Sequence, residues 1–469
     1  MMELAVGQQG LLARYLLGFD SLIGDRRTGE LFDQTVQGIL GSESLVAARI
    51  ATHSPMLASK SNNGAQRVRR MASGDTTKRS YIDAEHLVAR LQERGVEQLR
   101  GEDEVWVIVD PSELRKPYAH EMENLMKVRA LDEGKTVAGY RTLNALGIGR
   151  GGKRGILYHQ LFSSTAPDFD SESLEIQRAL GSIGQALSEH KGSLTYIMDS
   201  QFDDIAVWGT IWEQGNHLVC RLKHQDRLVE VAPAQSEPRG DESGRRELPI
   251  GEAKAEVRRL ARVRTEMLVQ KRGQKYKKRQ PVNVVIGAVL VRVRYQVDVR
   301  TRSDGAVREK DAWLVLVELE NVDCEPWLLL TDWPIADAES AERIFKMYRT
   351  RWAVEDAFKF TKEVIGWEDV QLLNFEGVRT LVALGWVAAG FLYELGLNLE
   401  WPEVHLLARL GGFEEHKDRQ PGKVALTRGL QRMLDLLATE AILYSEITRY
   451  GQLPPRLAAL IGWGPKGRL

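Results

Sequence analysis

The sequence predicts a mixed α/β fold, with strands in the middle of the chain and helices at both ends. Residues 1–100 have helical apolar spacing with polar breaks and no period-2 alternation. Residues 105–330 contain short apolar runs and strand-like alternation, whereas helical spacing returns from residue 338 almost to the end. With 469 residues, 43% of them hydrophobic, the chain is long enough for two or three domains and a sizeable core.

Composition excludes several classes of protein. The chain has 64 Lys and Arg residues, 65 Asp and Glu residues and two cysteines, Cys220 and Cys324. Fibrous, disordered and disulfide-stapled proteins are excluded, and two distant cysteines cannot build a zinc cluster. Glu3 lies where a secretory signal needs a basic residue, and the longest apolar run, residues 381–393, is shorter than the roughly 18 residues of a membrane span. We expect a cytoplasmic protein without a membrane partner.

Two short apolar strands are each followed by an aspartate. Residues 105–109 precede Asp110, and residues 194–198 precede Asp199. The elements predicted between them are two strands and a helix, at residues 136–148, 155–164 and 171–190. Sites tend to form at the carboxyl edge of an open α/β sheet, so both aspartates are candidate site residues.

The turn between the two intervening strands resembles a phosphate-binding loop. Gly147, Gly149 and Gly152 match G-x-G-x-x-G, and Lys153 nearly completes G-x-x-x-x-G-K. Such loops lead into a helix, whereas a strand follows here, and Arg154 stands where Ser or Thr would bind magnesium. We predict a hairpin turn and no nucleotide cofactor.

Residues 208–335 are predicted to form a β-rich insertion. Val291, Val293 and Tyr295 share one face of a strand whose other face is polar, the pattern of a half-buried antiparallel strand. Residues 313–319 are expected to pair with it across an S-D-G turn.

Basic residues are concentrated in two patches, although the net charge is −1. One patch lies between residues 60 and 79, and the other lies between residues 258 and 279, where Glu266 is the one acidic residue. A lone basic run is usually a solvated face, but two such patches favour a phosphate-backbone partner. The patch residues predicted to bind DNA are Arg67, Arg69, Arg70, Lys78, Arg79, Arg272, Lys275, Lys277 and Lys278.

The segment YRTRWAVEDAFKFTK, residues 348–362, is the most informative in the chain. On a helix, Tyr348, Arg351, Glu355 and Lys362 fall within an arc of about 60°, opposite an apolar face. An exposed ion pair between Arg351 and Glu355 is the alternative explanation. A metal site explains more of the sequence. The Glu355 carboxylate and the two strand-end aspartates make three carboxylates on rigid elements, which suit a pair of Mg²⁺ ions.

These residues resemble a known signature. Tyr348-x-x-Arg351-x-x-x-Glu355, followed after six residues by Lys362, is similar to the Y-(2)-R-(3)-E-(6)-K motif of cut-and-paste DDE transposases of the insertion-sequence-four type. The resemblance covers most of the chain, including an aspartate in VWVIVDPSE and another in TYIMDSQFDD. It implies a ribonuclease-H-like catalytic core, interrupted by the β-rich insertion, that acts on double-stranded DNA.

The resemblance also implies a site and a reaction. Asp110, Asp199 and Glu355 would be catalytic and bind Mg²⁺, with Mn²⁺ able to substitute. Water frees a 3′-OH at the element's end, that hydroxyl attacks the opposite strand to form a hairpin, water reopens the hairpin, and the hydroxyl joins target DNA. A homodimer would bridge the two DNA ends, in the cytoplasm and associated with the nucleoid.

Two residues of the insertion resemble DNA contacts of the family. Trp327, in P-W-L-L-L-T, is similar to a tryptophan that stacks on a base flipped out during hairpin formation, although a core tryptophan at a strand start fits the same pattern. Arg221 is similar to an arginine that contacts the hairpin-side backbone. With Tyr348, Arg351 and Lys362, they complete the predicted DNA contacts.

The sequence also departs from the family pattern. Ser200 follows the second aspartate, where the family often has arginine. Asp203 and Asp204 compete with Asp199 as the ligand, but Asp199 directly follows the apolar run and Asp203 is more plausibly structural. Asp103 and Glu104 are rivals of Asp110, but they precede the strand and should lie at its other end.

The predicted organisation has five parts. Residues 1–100 form a helical DNA-binding domain, 101–207 the first part of the core, 208–335 the insertion, 336–375 the signature helix that completes the core, and 376–469 a helical region predicted to pair two subunits. Two alternatives stay open: a catalytically silent DNA-binding relative, and a ribonuclease-H-like nuclease that cuts structured nucleic acid without joining it.

Overall fold

A mixed sheet runs through the chain, and helices pack on both of its faces. The structure is a computed structural model that describes residues 10–54, 61–73, 81–130, 134–190, 192–232, 245–269, 278–296, 307–320, 322, 325–352, 365–413 and 423–451. Its helices are α1 (Leu11–Leu17), α2 (Arg26–Ser42), α3 (Ala47–Thr52), α4 (Ser61–Met71), α5 (Ala84–Leu99), α6 (Glu172–Ala186), α7 (Ile205–Glu213), α8 (Ile250–Ala253), α9 (Ala338–Arg349), α10 (Phe375–Asn398), α11 (Trp401–Leu410) and α12 (Lys423–Tyr450). Its strands are β1 (Val105–Arg115), β2 (Met126–Ala130), β3 (Lys135–Gly149), β4 (Arg154–Phe162), β5 (Leu194–Met198), β6 (His217–Arg221), β7 (Leu228–Val231), β8 (Arg246–Pro249), β9 (Arg258–Val269), β10 (Lys278–Tyr295), β11 (Arg308–Glu320) and β12 (Trp327–Thr331).

The described strands form one sheet in the order β2-β3-β1-β5-β6-β12-β11-β10-β7-β8, with β4 also on β3 and β9 also on β10. The neighbours β1, β5 and β6 are parallel, and the other described pairs are antiparallel. Helix α7 connects β5 to β6, as a parallel pair requires a crossover. Strands from residues 208–335 therefore extend the same sheet that contains β1 and β5.

Side chains of the central strands alternate between two apolar layers, as the period-2 geometry of strands requires. Ile108 and Ile197 belong to the layer that includes residues of α2, α5, α9 and α10. Val109 and Met198 point the other way, into a layer with α6 and α7. We call the side of the sheet that carries Ile108 and Ile197 the α9 face.

The predicted elements between the two aspartates are confirmed. Helix α6 begins after Ser171, whose side chain accepts from the Leu174 N–H. The segment between β3 and β4 is a hairpin turn, in which the Gly149 N–H donates to the Lys153 carbonyl over 2.9 Å. Gly152 has φ +93°, a conformation that favours glycine. Gly152 therefore serves the predicted turn, whereas Gly147 and Gly149 belong to β3.

One strand is longer than predicted. β1 does not end at Asp110 but continues to Arg115, because β3 pairs with it along its whole length. Its parallel neighbour β5 ends at Met198, opposite Val109. From Asp110 onward that side of β1 has no strand partner among the described residues, so Pro111 is tolerated there without a backbone donor.

The strand pairing predicted within residues 208–335 is confirmed, whereas the predicted S-D-G turn at residues 303–305 lies outside the described residues. Trp313 is the register partner of Leu290, and the pairing continues through β10 and β11. β10 begins at Lys278, earlier than its alternating pattern indicates, because its first half pairs with β9.

Helix α10 is long and apolar. Its segment Phe375–Leu395 has the length and composition of a membrane span. The apolar segment is therefore longer than the predicted run of residues 381–393. However, 83% of this segment is buried inside the protein. Core packing therefore accounts for its apolar character.

Candidate functional site

Asp110 and Asp199 lie side by side at the centre of the sheet. Each directly follows the last register pair of the parallel strands β1 and β5. Neighbouring strands are about 4.8 Å apart, and Ile108 and Ile197, two positions earlier, both belong to the α9 face. The two aspartates therefore emerge close together on this face.

Arg351 reaches Asp110 from beyond the end of α9. Its Nη1 lies 3.6 Å from Asp110 Oδ1, and each side chain is 12% exposed. Asp199 is held differently, because its Oδ1 accepts the Gln201 N–H over 2.9 Å. The pair Asp110–Arg351 thus brings one predicted ligand and one predicted DNA contact together.

Helix α9 ends inside the signature. The sequence predicts one helix over residues 348–362, of which 353–362 lie outside the described residues, and α9 ends at Arg349. The Thr350 and Arg351 N–H groups donate to carbonyls three residues back, over 3.0 and 3.1 Å, so the last turn tightens. Tyr348 therefore lies within α9 and Arg351 lies just beyond its end, although both reach the site.

Trp327 lies in an aromatic cluster. Its ring centroid is 5.5 Å from that of Tyr348, 5.8 Å from that of Trp352 and 6.1 Å from that of Phe345. The residue is half-buried and begins β12, on the α9 face. Packing explains this position in part, and the ring also contacts Tyr348, which belongs to the signature.

Charged side chains near Tyr348 shift the pKa of its hydroxyl. Burial raises the pKa of Tyr348, Arg351 and Arg221 lower it, and Asp199 raises it. These side chains therefore lie close enough to Tyr348 to act on its charge. Arg221 ends β6 and is the register partner of Leu329 on β12, so it joins the same group.

The arrangement fits a hard divalent cation. Asp110 and Asp199 offer carboxylate oxygens from adjacent strands, the ligand type that Mg²⁺ prefers. Within the described residues no third acidic, histidine or cysteine side chain joins them. The predicted third ligand, Glu355, and the predicted contact Lys362 lie outside the described residues.

No protein-family model matches the chain, and a search of curated proteins finds no match. What the site can do is therefore inferred from its own residues and their surroundings.

The nearby acids have structural partners. The Asp203 carboxylate has no exposed surface, pairs with the Arg227 guanidinium and accepts the Lys223 and His224 N–H groups over 2.7 and 2.8 Å. Asp204 caps α7 by accepting the Ala206 N–H. These contacts agree with the prediction that Asp203 is structural and leave Asp199 as the ligand candidate on this strand.

The rivals of Asp110 lie at the opposite end of β1. Glu104 precedes the strand, is 8% exposed, and accepts from Trp106 Nε1 and Arg343 Nη2 over 2.8 Å each. Asp103 is exposed. Both are therefore separated from Asp199 by the length of the parallel strands.

The first basic patch lies on α4. Val68 and Met71 are buried, whereas Arg67, Arg69 and Arg70 are all exposed. The helix thus presents a cationic face to solvent and an apolar face to the core. Lys78 and Arg79 lie outside the described residues.

The second basic patch lies partly on β9. Near the sheet, carboxylates of β11 pair with its arginines, Arg259 with Glu318 at 3.6 Å and Arg262 with Glu320 at 2.5 Å. Two of the four arginines of β9 are therefore paired with acids. Of the predicted contacts, Arg272, Lys275 and Lys277 lie outside the described residues, and Lys278 begins β10.

Strands β9 and β10 form an arm that projects past the sheet. The pairing of β10 with β11 ends at Asn283, whereas its pairing with β9 continues to Lys278 opposite Val269. We call residues 265–269 and 278–282 the arm; it is about 17 Å long. It extends from the edge of the sheet that carries Asp110 and Asp199, and the basic residues 270–277 join its strands.

Sequence reasoning missed a buried polar group beside the site. Asn144 and His159 are 1% and 2% exposed, and His159 Nδ1 lies 2.7 Å from Asn144 Oδ1. The available signal was a lone polar residue in the apolar run LNALGIG. Trp352, the third neighbour of Trp327, was also missed.

Proposed function

We propose that this protein is a DNA transposase that cuts the ends of its own element and joins them to target DNA. The observation that carries the proposal is the meeting of Asp110 and Asp199 with Arg351 and Tyr348, two residues of the signature. The pairing of β1 with β5 brings the aspartates together, so their proximity does not depend on the signature of residues 348–362.

A ribonuclease-H-like core is part of the proposal. The run β4-β3-β1-β5-β6 supports it, with antiparallel pairs on one side of β1 and parallel pairs on the other. With β6 included, the first part of the core extends past the predicted boundary at residue 207 to Arg221. Crossover helices α6 and α7 lie on one face and α10 on the other. The aspartates then occupy the carboxyl ends of neighbouring parallel strands, where α/β sites form.

Asp110, Asp199 and Glu355 would hold Mg²⁺. Bound Mg²⁺ would lower the pKa of the attacking water or hydroxyl and stabilise the leaving oxygen of each in-line displacement. Asp110 faces Arg351 as well as Asp199, so it is the ligand best placed to link the metal site with the DNA contacts.

Arg351 and Arg221 would bind phosphate oxygens. Their guanidinium groups lie around Tyr348, on the α9 face that carries the aspartates. A guanidinium matches the geometry of a phosphate and can hold the scissile group in line. Trp327 would stack on the base that leaves the helix when a hairpin forms, which repays part of its unstacking cost.

DNA outside the site would contact α4 and the basic segment 270–277 that joins the strands of the arm. The exposed arginines of α4 and the basic residues 270–277 supply phosphate contacts at separate places. A homodimer is also proposed, through the C-terminal helices. Large apolar side chains are exposed on α11 and α12, namely Trp401, Leu406, Leu436 and Tyr444.

Cleavage of DNA that flanks the protein's own gene tests the proposal. Labelled duplexes tiling both flanks are incubated with Mg²⁺, and products are resolved on denaturing gels. We expect nicks and hairpins at one end sequence, lost in Glu355→Gln and Asp199→Asn with DNA binding retained. Asp103→Asn, an exposed aspartate at the far end of β1, is the matched control and should cut normally.

The two alternatives predict other outcomes. Wild-type protein that binds an end but never cuts would be a silent relative. Nicks at many sequences, without hairpins or joined products, would indicate a structure-selective nuclease. No end-specific binding or cleavage in any duplex would contradict the transposase function.

A further inference from the structure

A row of three polar side chains crosses the buried α9 face. Asp110 on β1 is the register partner of Asn144 on β3, and Asn144 is the register partner of His159 on β4. Asn144 and His159 are almost completely buried. Buried polar groups cost free energy unless they are hydrogen-bonded. Because this row ends at Asp110, a candidate metal ligand, its hydrogen bonds can affect metal binding.

His159 sets the orientation of the Asn144 amide. The 2.7 Å contact joins His159 Nδ1 to the amide oxygen, which accepts, so Nδ1 carries the hydrogen. Burial lowers the pKa of His159 to about 3, so the imidazole is neutral near pH 7. With Oδ1 facing β4, the planar amide turns its NH₂ group away from β4, toward β1.

The NH₂ group of Asn144 has two hydrogens to donate. One goes to Thr142 Oγ1 over 3.0 Å, and the Thr142 hydroxyl donates to the Ser112 carbonyl on β1 over 3.2 Å. The Cβ atoms of directly opposite residues lie about 5 Å apart, so Asp110 is adjacent to the amide, although the structure has no hydrogen bond between the two side chains. The whole chain of donors thus runs from β4 toward β1.

We propose that Asn144, oriented by His159, is a positioning residue for Asp110. Its amide donates to one carboxylate oxygen and fixes the rotamer in which the other oxygen faces Asp199. The proposal rests on the proposed function, because it takes Asp110 to be a metal ligand. Partners of this kind contribute about 10–100-fold to metal affinity.

Mn²⁺ binding to the DNA-free, full-length protein tests the role, with free Mn²⁺ measured by electron paramagnetic resonance. Asn144→Ala and His159→Leu should weaken binding about tenfold or more. His159→Gln, whose amide can still donate to Asn144, should restore most of the affinity. The matched control is Gln160→Ala, the next residue on β4, which should bind as wild type.

Two results separate the proposals. If wild type binds no Mn²⁺, or Asp110→Asn binds it as tightly as wild type, the proposed function fails, and the role of Asn144 with it. If Asp110→Asn abolishes binding while Asn144→Ala and His159→Leu leave it unchanged, the positioning role alone is overturned. Thermal unfolding monitors the fold; where Asn144→Ala does not fold, Asn144→Ser, too short to reach Asp110, replaces it.

Discussion

The guanidinium of Arg351 lies 3.6 Å from the carboxylate of Asp110, and both side chains are largely shielded from water. A cation at this distance competes with a metal ion for the carboxylate. A DNA phosphate offers Arg351 another anionic partner. Under the proposed function, DNA binding should therefore release Asp110 and increase the affinity for metal.

Removing the charge of Arg351 should strengthen metal binding and weaken DNA binding. We expect Arg351→Gln to raise the Mn²⁺ affinity of the DNA-free protein about fivefold, equivalent to ~1 kcal/mol, and to weaken binding of end DNA. Electron paramagnetic resonance measures the first and fluorescence anisotropy the second. Lys346→Gln, an exposed cation on α9, is the control. A lower Mn²⁺ affinity in Arg351→Gln would show that the two groups do not compete.

Asp199 and Asp203 should respond differently to the same substitution. Asp203→Asn breaks the ion pair between a fully buried carboxylate and Arg227, so the free energy of unfolding should fall by about 3 kcal/mol. Asp199→Asn should change it by less than about 0.5 kcal/mol, because Asp199 is half-buried and its cap oxygen is retained. Urea unfolding measures both. Equal destabilisation would mean that Asp199, too, is structural.

Trp327 should matter more for hairpin formation than for the first nick. Trp327→Leu keeps apolar volume but loses the aromatic face, so stability should fall by about 2 kcal/mol and the ratio of hairpin to nicked DNA at least tenfold. Trp327→Phe should keep most of that ratio. Denaturing gels give the ratio at each time point. An equal fall in both products would indicate lost packing against Tyr348 and Trp352.

The sequence identifies Asp110 and Asp199 because an apolar run followed by an aspartate is a local pattern. It does not show that they are neighbours, since the register of β1 and β5 is set by contacts between distant residues. The continuation of β1 to Arg115 was missed for a similar reason. Its pairing with β3 keeps the strand extended beyond the apolar run.

The row from Asp110 to His159 was beyond sequence reasoning. Asn144 and His159 are ordinary polar residues within strands, and they align only once the registers of β1, β3 and β4 are known. The arm was missed because the sequence indicates charge there but not that β9 pairs beyond the end of β11. Trp327 is a candidate from resemblance, and two of its aromatic neighbours, Phe345 and Tyr348, lie on α9.

His159 should make the fold sensitive to acid. Its pKa is about 3 in the folded protein, against about 6.5 unfolded, so between these values the unfolded chain binds more protons and stability rises with pH. As the pH falls from 6.5 to 5, His159 should remove about 2 kcal/mol of stability; above 6.5 it should have no effect. Urea unfolding at pH 7 and pH 5 should show a smaller loss for His159→Gln than for wild type. His120→Gln, exposed in a loop, should behave as wild type.

The basic segment 270–277, which joins the two strands of the arm, should contribute to DNA affinity through phosphate contacts. Each lysine that pairs with a phosphate adds about 0.9 to the slope of log affinity against log salt concentration. The double substitution Lys275→Ala, Lys277→Ala should therefore lower that slope by about 2 and weaken binding of all duplexes alike. Anisotropy titrations between 50 and 200 mM salt, roughly the range over which such contacts are resolved, measure the slope. Arg262→Ala is the control, because Arg262 already pairs with Glu320 near the sheet. An unchanged slope in the double variant would place DNA elsewhere and leave α4 as the main source of phosphate contacts.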